Sequence, residues 1–137
     1  MKILALDYGQ KRIGYAVGDT NLGIAFGRDL IENKSYDEVE KSLQKIISEE
    51  MIDMVLIGLP LLLDGKETEQ TQYTRKFAEK LKESLGIVVE LEDERLTTAE
   101  ATKSLHLQNI KEKKQVGKKD VISAEIILQN YLDRRKG

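Results

Sequence analysis

The order in which strand-like and helix-like patterns follow one another constrains the fold more than any other feature of the sequence. Three short apolar runs come first, at about residues 3–7, 12–18 and 22–31, and their β-branched and aromatic residues predict strands. Two further apolar runs, at about 53–58 and 87–91, alternate with segments in which apolar residues recur at helical spacing. This order predicts an α/β fold with a mixed five-stranded sheet, three antiparallel strands and then two parallel ones, flanked by helices.

Four helices are predicted around these strands. A serine or threonine followed three residues later by glutamate indicates a helix start near Ser35 and near Thr97. Gly86 suits the left-handed position that often ends a helix. The predicted helices cover about residues 36–50, 70–85, 97–105 and 119–134.

Length and composition are those of an ordinary globular protein, and we expect one domain over residues 1–137. The chain has 137 residues, 40% of them hydrophobic and 34% charged, which is enough to bury a core without disulfides or a structural metal. It has no cysteine, no apolar run near the roughly 18 residues of a membrane span, and an N-terminal apolar stretch too short for a signal peptide. A cytoplasmic protein without a membrane partner is therefore expected.

Charge is distributed unevenly along the chain. The formal net charge is −2, so bulk electrostatics does not draw the protein to nucleic acid. Residues 111–119, KEKKQVGKK, nevertheless contain five lysines and one glutamate. A solvated surface is the ordinary explanation of such a run. Because this one directly precedes an acidic helix start, we favour a flexible phosphate clamp, with candidate nucleic-acid-binding residues Lys113, Lys114, Lys118 and Lys119.

Acidic residues occupy three unusual sites in the sequence. In the first strand, Asp7 shares a face with Ile3 and Ala5, so a carboxylate ends an apolar row. Asp120 begins the apolar stripe of the last helix, where simple capping of the helix start is the alternative explanation. Asp93 and Glu94 follow the last predicted strand, at the edge where α/β sheets usually carry their chemistry, although surface charges before a helix fit the spacing equally well.

Carboxylates that converge at one edge of a sheet require a cation, because buried like charges repel one another. Oxygen donors in a chain with no cysteine and a single histidine, His106, favour a hard ion such as Mg²⁺ or Mn²⁺ over zinc. His106 itself is predicted to lie on a helix surface. The sequence therefore predicts a magnesium or manganese site near Asp7.

Five segments together resemble a known family. They are LALDYGQKRIGYAVGD, IGLPLLLDG, FAEKL, DERLTTAEA and KDVISAEIILQNYLD, and they span residues 3 to about 133. Their order and spacing resemble the YqgF/RuvX family of bacterial Holliday junction resolvases, also described as pre-16S ribosomal RNA nucleases. The resemblance implies a ribonuclease-H-like nuclease domain, and hence a metal-dependent endonuclease that hydrolyses phosphodiester bonds with two Mg²⁺ or Mn²⁺ ions.

The resemblance also implies which residues form the site. The catalytic metal ligands would be Asp7 of the DYG motif, Glu94 of DERLTT and Asp120 at the last helix. Asp93 would support these ligands from outside the metal shell or cap a helix. Asp7 would then be stabilised by the cations that it binds, which accounts for a carboxylate in an apolar strand.

Basic residues, glycines and threonines surround the implied site. Lys11, Arg12 and Arg95 are expected either to contact backbone phosphates or, for the two arginines, to pair with the acids and hold their orientation. The glycines suit a tight turn and a close backbone approach, and the threonines suit helix caps. These residues are Gly9, Gly14, Thr97 and Thr98.

The chain departs from the family pattern at two positions, neither of them a proposed metal ligand. Leu62 stands where asparagine is expected, and Ser123 stands where alanine is usual. For the apolar loop run Leu61–Leu63, a small satellite core is favoured over a wedge or a partner contact.

The sequence leaves the nucleic-acid substrate open. Resolution of a four-way DNA junction calls for two active sites in a two-fold dimer, whereas a monomer can trim the 5′ end of pre-16S ribosomal RNA, with a pre-ribosomal particle as a further partner. Low aromatic content and the slightly acidic charge favour RNA, and a monomer or weak homodimer is expected.

Two other functions compete with the nuclease. One is a non-catalytic protein of the same fold that binds nucleic acid or the ribosome. The other is a nucleotide-binding domain of the actin and sugar-kinase type, which needs two such domains to enclose ATP, whereas 137 residues supply one.

Overall fold

The strands of the protein form one mixed sheet in the computed structural model, which describes residues 1–96 and 118–136. The strands are β1 (Lys2–Asp7), β2 (Arg12–Asp19), β3 (Ile24–Glu32), β4 (Met54–Leu59) and β5 (Val88–Asp93). Their order across the sheet is β3-β2-β1-β4-β5, with β1 to β3 antiparallel and β4 and β5 parallel to β1. The predicted α/β architecture is confirmed.

Three α-helices and one 3₁₀ turn lie in the described ranges. They are α1 (Tyr36–Glu50), α2 (Glu69–Leu85), the turn Glu94–Leu96 and α3 (Lys118–Lys136). Helix α1 begins as predicted, because the Ser35 side chain accepts a hydrogen bond from the Glu38 amide at 3.3 Å. Helix α2 ends at Gly86, which has a positive φ of 68°. The helix predicted over 97–105 lies outside the described residues, and no helix within them is long and apolar enough to cross a membrane.

The two faces of the sheet are buried by different helices. Alternation along β1 directs Leu4 and Leu6 into a core with α1 and α2, and directs Ile3 and Ala5 into a second core with α3. All four side chains are fully buried. Asp7 continues the row of Ile3 and Ala5, so it lies on the α3 face at the carboxyl end of β1.

Two contacts fix α3 across this face. At its first turn, the backbone of Asp120 packs directly on Gly14 of β2, so closely that a β-carbon at position 14 would overlap the Asp120 carbonyl group. At the other end, Arg134 forms an ion pair of 2.5 Å with the buried Glu92 of β5. The helix therefore crosses the sheet from β2 to β5, and Asp120 in its first turn lies at the end of β1.

The strand boundaries differ from the sequence prediction in two informative places. Strand β3 begins at Ile24 instead of about residue 22, because a turn closed by the Gly23 amide and the Asp19 carbonyl at 2.8 Å uses the preceding residues. Strand β5 continues to Asp93, since its parallel pairing with β4 extends to Leu59. This longer pairing places the DERLTT acids at the very end of the sheet.

The satellite core predicted for Leu61–Leu63 is wrong for the last two of these residues. Leu62 is 49% exposed and Leu63 is 95% exposed, whereas Leu61 is partly buried. Backbone hydrogen bonds from Leu62 to Lys66 at 3.0 Å and from Gly65 to Leu62 at 2.8 Å close a tight loop tip. The tip is too short to fold over its own side chains, and both leucines face solvent.

The contact between Gly14 and α3 predicts a large effect of one methyl group. Gly14→Ala should lower the free energy of unfolding by about 2–4 kcal/mol, because the overlap is with backbone atoms that cannot rotate away. Urea denaturation measures this change. Gly27→Ala on β3 is the matched control, since its β-carbon would meet only the ends of the Val121 and Glu125 side chains. Equal stability of Gly14→Ala and wild type would contradict this description of α3 packing.

Candidate active site

Asp7 is the centre of an acidic site at the carboxyl end of β1. Its side chain is partly buried, and burial, followed by the negative charges of Glu94 and Asp120, raises its pKa from 3.8 to about 7. A hydrogen bond from the Ser123 hydroxyl and the positive charge of Lys119 act in the opposite direction. The three acids predicted as metal ligands are therefore close enough to interact electrostatically.

Asp120 is brought to Asp7 by the packing of α3. Gly14 pairs with Asp7 in the β1–β2 register, and the first turn of α3 rests on Gly14. The Asp120 carboxylate accepts a hydrogen bond from Nε of Arg12 at 3.2 Å. Of the two roles expected for Arg12, the structure shows pairing with an acid.

Glu94 is positioned by the end of β5 and by a glycine on the neighbouring strand. A β-carbon at Gly58 of β4 would lie 2.7 Å from Oε1 of Glu94 and would overlap the Ile127 side chain. Burial, and then the charge of Asp93, raises the pKa of Glu94. Gly58 is thus needed at this site, and sequence reasoning missed it, although a glycine at the end of a buried strand was a visible signal.

Asp93 and Arg95 form a separate pair beside the three acids. The Asp93 carboxylate accepts the Arg95 amide at 2.9 Å and the Arg95 guanidinium at 2.7 Å. These bonds cap the turn after β5 and hold the pKa of Asp93 below its usual value, with the guanidinium hydrogen bond as the main cause. Arg95 also donates to the Leu63 carbonyl at 3.4 Å, which links the DERLTT motif to the exposed leucine loop.

The turn between β1 and β2 borders a polar cleft of about 340 Å³ beside the acids. Lys11 is exposed there, and a β-carbon at Gly9 would lie 2.5 Å from the Arg12 carbonyl oxygen, so the turn requires this close approach. Gln70 of α2 completes the wall opposite Asp120.

Of the four lysines in the predicted phosphate clamp, the structure describes only the last two. Lys119 is exposed in the first turn of α3, and Lys118 is the first residue of that helix. Thr97, Thr98, Lys113 and Lys114 lie outside the described residues.

The donor chemistry of the three acids fits a hard divalent ion. They supply only carboxylate oxygens, and Asp7 is a partly buried carboxylate that forms no ion pair with a described residue. Within residues 1–96 and 118–136, however, no three acidic or histidine side chains are already close enough together to hold an ion. In this arrangement the Asp120 carboxylate is paired with Arg12.

Comparison with known proteins points to one family. A family model described as RuvX, Holliday junction resolvase, matches residues 1–134. A protein of Dictyoglomus thermophilum named "Putative pre-16S rRNA nuclease" is 40% identical over 133 residues, which cover 97% of this chain and 96% of that protein. A protein of the same name from Nitrosospira multiformis is 39% identical over 132 residues, covering 96% and 87%.

Solved structures share the fold at much lower identity. Thermus thermophilus RuvC in complex with a Holliday junction substrate has a TM-score of 0.66 at 12% identity, covering 100% of this chain and 96% of that one. The Fowlpox virus resolvase in complex with Holliday junction DNA has a TM-score of 0.63 at 13% identity, with 100% of both chains covered. These structures show that the fold is ribonuclease-H-like.

The raised pKa of Asp7 predicts how the stability of the metal-free protein depends on pH. Asp7 binds its proton more tightly in the folded state, so the free energy of unfolding should fall as pH rises from about 4 to about 7. Asp7→Asn should remove this loss and stabilise the metal-free protein at pH 8 by at most about 4 kcal/mol, with little difference from wild type at pH 4. Urea denaturation in the presence of a chelator measures both quantities.

Asp53→Asn is the control for this prediction. Asp53 accepts the Lys2 amide at 2.8 Å at the opposite end of the sheet, so the substitution changes the net charge equally without touching the acidic site. A variant Asp7→Asn that is less stable than wild type at pH 8 would contradict the electrostatic description of the site.

Proposed function

The chain belongs to the RuvX family of Holliday junction resolvases, and from this premise we propose that it is a metal-dependent endonuclease built on Asp7, Glu94 and Asp120. Its reaction is the hydrolysis of phosphodiester bonds in structured RNA or branched DNA. The observation that carries the proposal is the electrostatic convergence of Glu94 and Asp120 on Asp7, a partly buried carboxylate at the end of a central strand. Such an arrangement destabilises the metal-free protein, which is understandable if its purpose is to bind cations.

Nucleases of the ribonuclease-H-like fold generally use divalent metals. We propose Mg²⁺ or Mn²⁺, with two ions held by Asp7, Glu94 and Asp120. When bound, the ions supply activation of a water molecule and stabilisation of the departing oxygen. The Asp120 carboxylate is paired with Arg12 through one hydrogen bond of 3.2 Å. On metal binding, Asp120 would exchange this partner for the ion.

Three basic residues are proposed to bind the phosphate backbone of the substrate, namely Arg12, Lys11 and Lys119. Arg12 and Lys11 border the cleft that leads to Asp120, and Lys119 acts electrostatically on Asp7 itself. Release of Arg12 from Asp120 would free its guanidinium for a phosphate of the substrate. Asp93 and Arg95 then act as a positioning pair, since they hold the turn that carries Glu94.

We propose pre-16S ribosomal RNA as the first of two candidate substrates. The relatives that cover most of this chain carry that name, and trimming one end of an RNA, free or in a pre-ribosomal particle, requires a single active site. The four-way DNA junction is the second, because the family description names it. Symmetric junction cleavage requires a two-fold homodimer.

Cleavage of two end-labelled substrates by matched variants tests the proposal. A four-way DNA junction and a pre-16S ribosomal RNA fragment are incubated in Mg²⁺ or Mn²⁺ with wild type, Asp7→Asn and Asp53→Asn, and the products are resolved on denaturing gels. Wild type and Asp53→Asn should cut at least one substrate, and Asp7→Asn should cut it at least about 100-fold more slowly, since it loses one of the three proposed metal ligands.

The pattern of cutting also distinguishes the alternatives. Cutting of RNA alone by a monomer supports the first substrate, and paired symmetric cuts in the junction by a dimer support the second. Binding of either substrate without cutting, unchanged in Asp7→Asn, would replace the nuclease with a non-catalytic binding protein of the same fold.

A further inference from the structure

We propose that a pocket on the α1 and α2 side of β1, lined by aromatic and basic residues, binds an unpaired nucleobase of the substrate strand next to the cleavage site. The inference rests on the proposed nuclease function and adds a substrate requirement to it. The pocket has a volume of about 440 Å³, within the usual range for a site that encloses a small molecule.

The pocket presents ring faces and edges from three elements. Tyr8 follows β1 and stacks on the buried Phe77 of α2, with ring centroids 4.4 Å apart, and Tyr36 of α1 meets Phe77 edge-on at 6.2 Å. Phe77 thus fixes both tyrosines, while Tyr8 and Tyr36 remain partly exposed. Tyr73 of α2 lies at the rim and is 37% exposed. Aromatic rings held in this way stack on any nucleobase whose face is free.

Charge around the pocket suits the phosphates that accompany a nucleobase. Lys34, Lys76 and Lys80 line it together with polar and aromatic residues, and no acidic residue is among its lining side chains in the described structure. The lining itself therefore carries only positive charge, while Glu32 and Glu69 contact Lys34 and the Tyr73 hydroxyl from outside it.

Two of these lysines have defined contacts. Lys80 lies over the Tyr36 ring at 4.8 Å from its centroid, and Lys34 forms an ion pair of 3.3 Å with Glu32, both side chains being exposed. Exposed ion pairs of this kind are weak, so Lys34 remains available to a phosphate.

The position of the pocket connects it to the acidic site. Tyr8 is the residue after Asp7, and Gln10 lines both this pocket and the cleft that contains Arg12 and Asp120. The intervening turn is held in place, since Gln70 donates to the Tyr8 carbonyl at 3.0 Å and Asn33 donates to the Gly9 carbonyl at 2.8 Å. A strand whose phosphate lies at the acids can therefore pass Lys11 and place a neighbouring base in the pocket.

A base in a continuous duplex must be unpaired and unstacked before it can enter this pocket, and this has an energetic cost. The pocket should therefore favour substrates in which at least one nucleotide beside the cut is already unpaired. Single-stranded ends of precursor RNA and strand exchanges in branched DNA meet this condition, and an uninterrupted duplex does not.

Binding measurements in a chelator test the pocket independently of cleavage. The probes are a fluorescently labelled single-stranded RNA and the same sequence in a blunt duplex, measured by anisotropy at about 0.15 M salt. The test variant is Tyr36→Leu combined with Tyr73→Ala. The control is Tyr15→Leu, a partly buried tyrosine of β2 that does not line this pocket.

Wild type should bind the single strand more tightly than the duplex. The double variant should weaken single-strand binding by about tenfold or more, as expected for lost stacking, and should leave duplex binding unchanged. Tyr15→Leu should change neither. Should the double variant fail to fold by circular dichroism, Tyr73→Ala alone is used, since its exposed side chain can be removed from the helix surface without loss of core packing.

Unchanged single-strand binding in the variant, or an equal loss with both probes, would overturn the inference. Because these measurements need no cleavage, the two proposals can fail separately. Tyrosine-dependent binding without any nuclease activity would support the nucleobase pocket and contradict the nuclease function. Cleavage without tyrosine-dependent binding would support the nuclease function and contradict the pocket.

Discussion

The packing of the first turn of α3 on Gly14 is the contact on which the acidic site depends. Gly14 is the register partner of Asp7, so a helix that rests on Gly14 necessarily brings its own first turn beside Asp7. Helix α3 is held at its other end by Arg134 and Glu92, so its approach cannot be adjusted by a simple tilt away from β2. The position of Asp120 is thus a consequence of the absence of one side chain on the neighbouring strand.

The same arrangement of acids that serves the proposed function lowers the stability of the metal-free protein. Burial of Asp7 and the two neighbouring carboxylates, Glu94 and Asp120, raise its pKa and oppose folding at neutral pH, and the described residues provide only partial compensation. Arg12 pairs with Asp120, while Ser123 and Lys119 favour the charged form of Asp7. The Ser123 hydroxyl thus gives a hydrogen bond to the residue whose charged form is the most disfavoured of the three acids.

The sequence was sufficient for features that depend on periodicity, and insufficient for those that depend on which elements meet. Alternation along β1 correctly assigned Asp7 to the same face as Ile3 and Ala5, and the element order correctly predicted the sheet. Gly58 was missed because its role becomes visible only when β5 and its following turn are placed beside β4. The exposure of Leu62 and Leu63 was missed because the pattern cannot show that the loop closes on itself by backbone hydrogen bonds.

The same limitation explains why the aromatic pocket was not anticipated. Tyr8, Tyr36 and Phe77 belong to three elements and share no motif, so only the fold shows that one ring supports the other two. The acids lie on the α3 face of the sheet and the pocket lies on the α1 and α2 face, with the β1–β2 turn between them. A strand that reaches from the acids to the pocket must therefore follow this turn, so the fixed shape of the turn sets the path between the two sites.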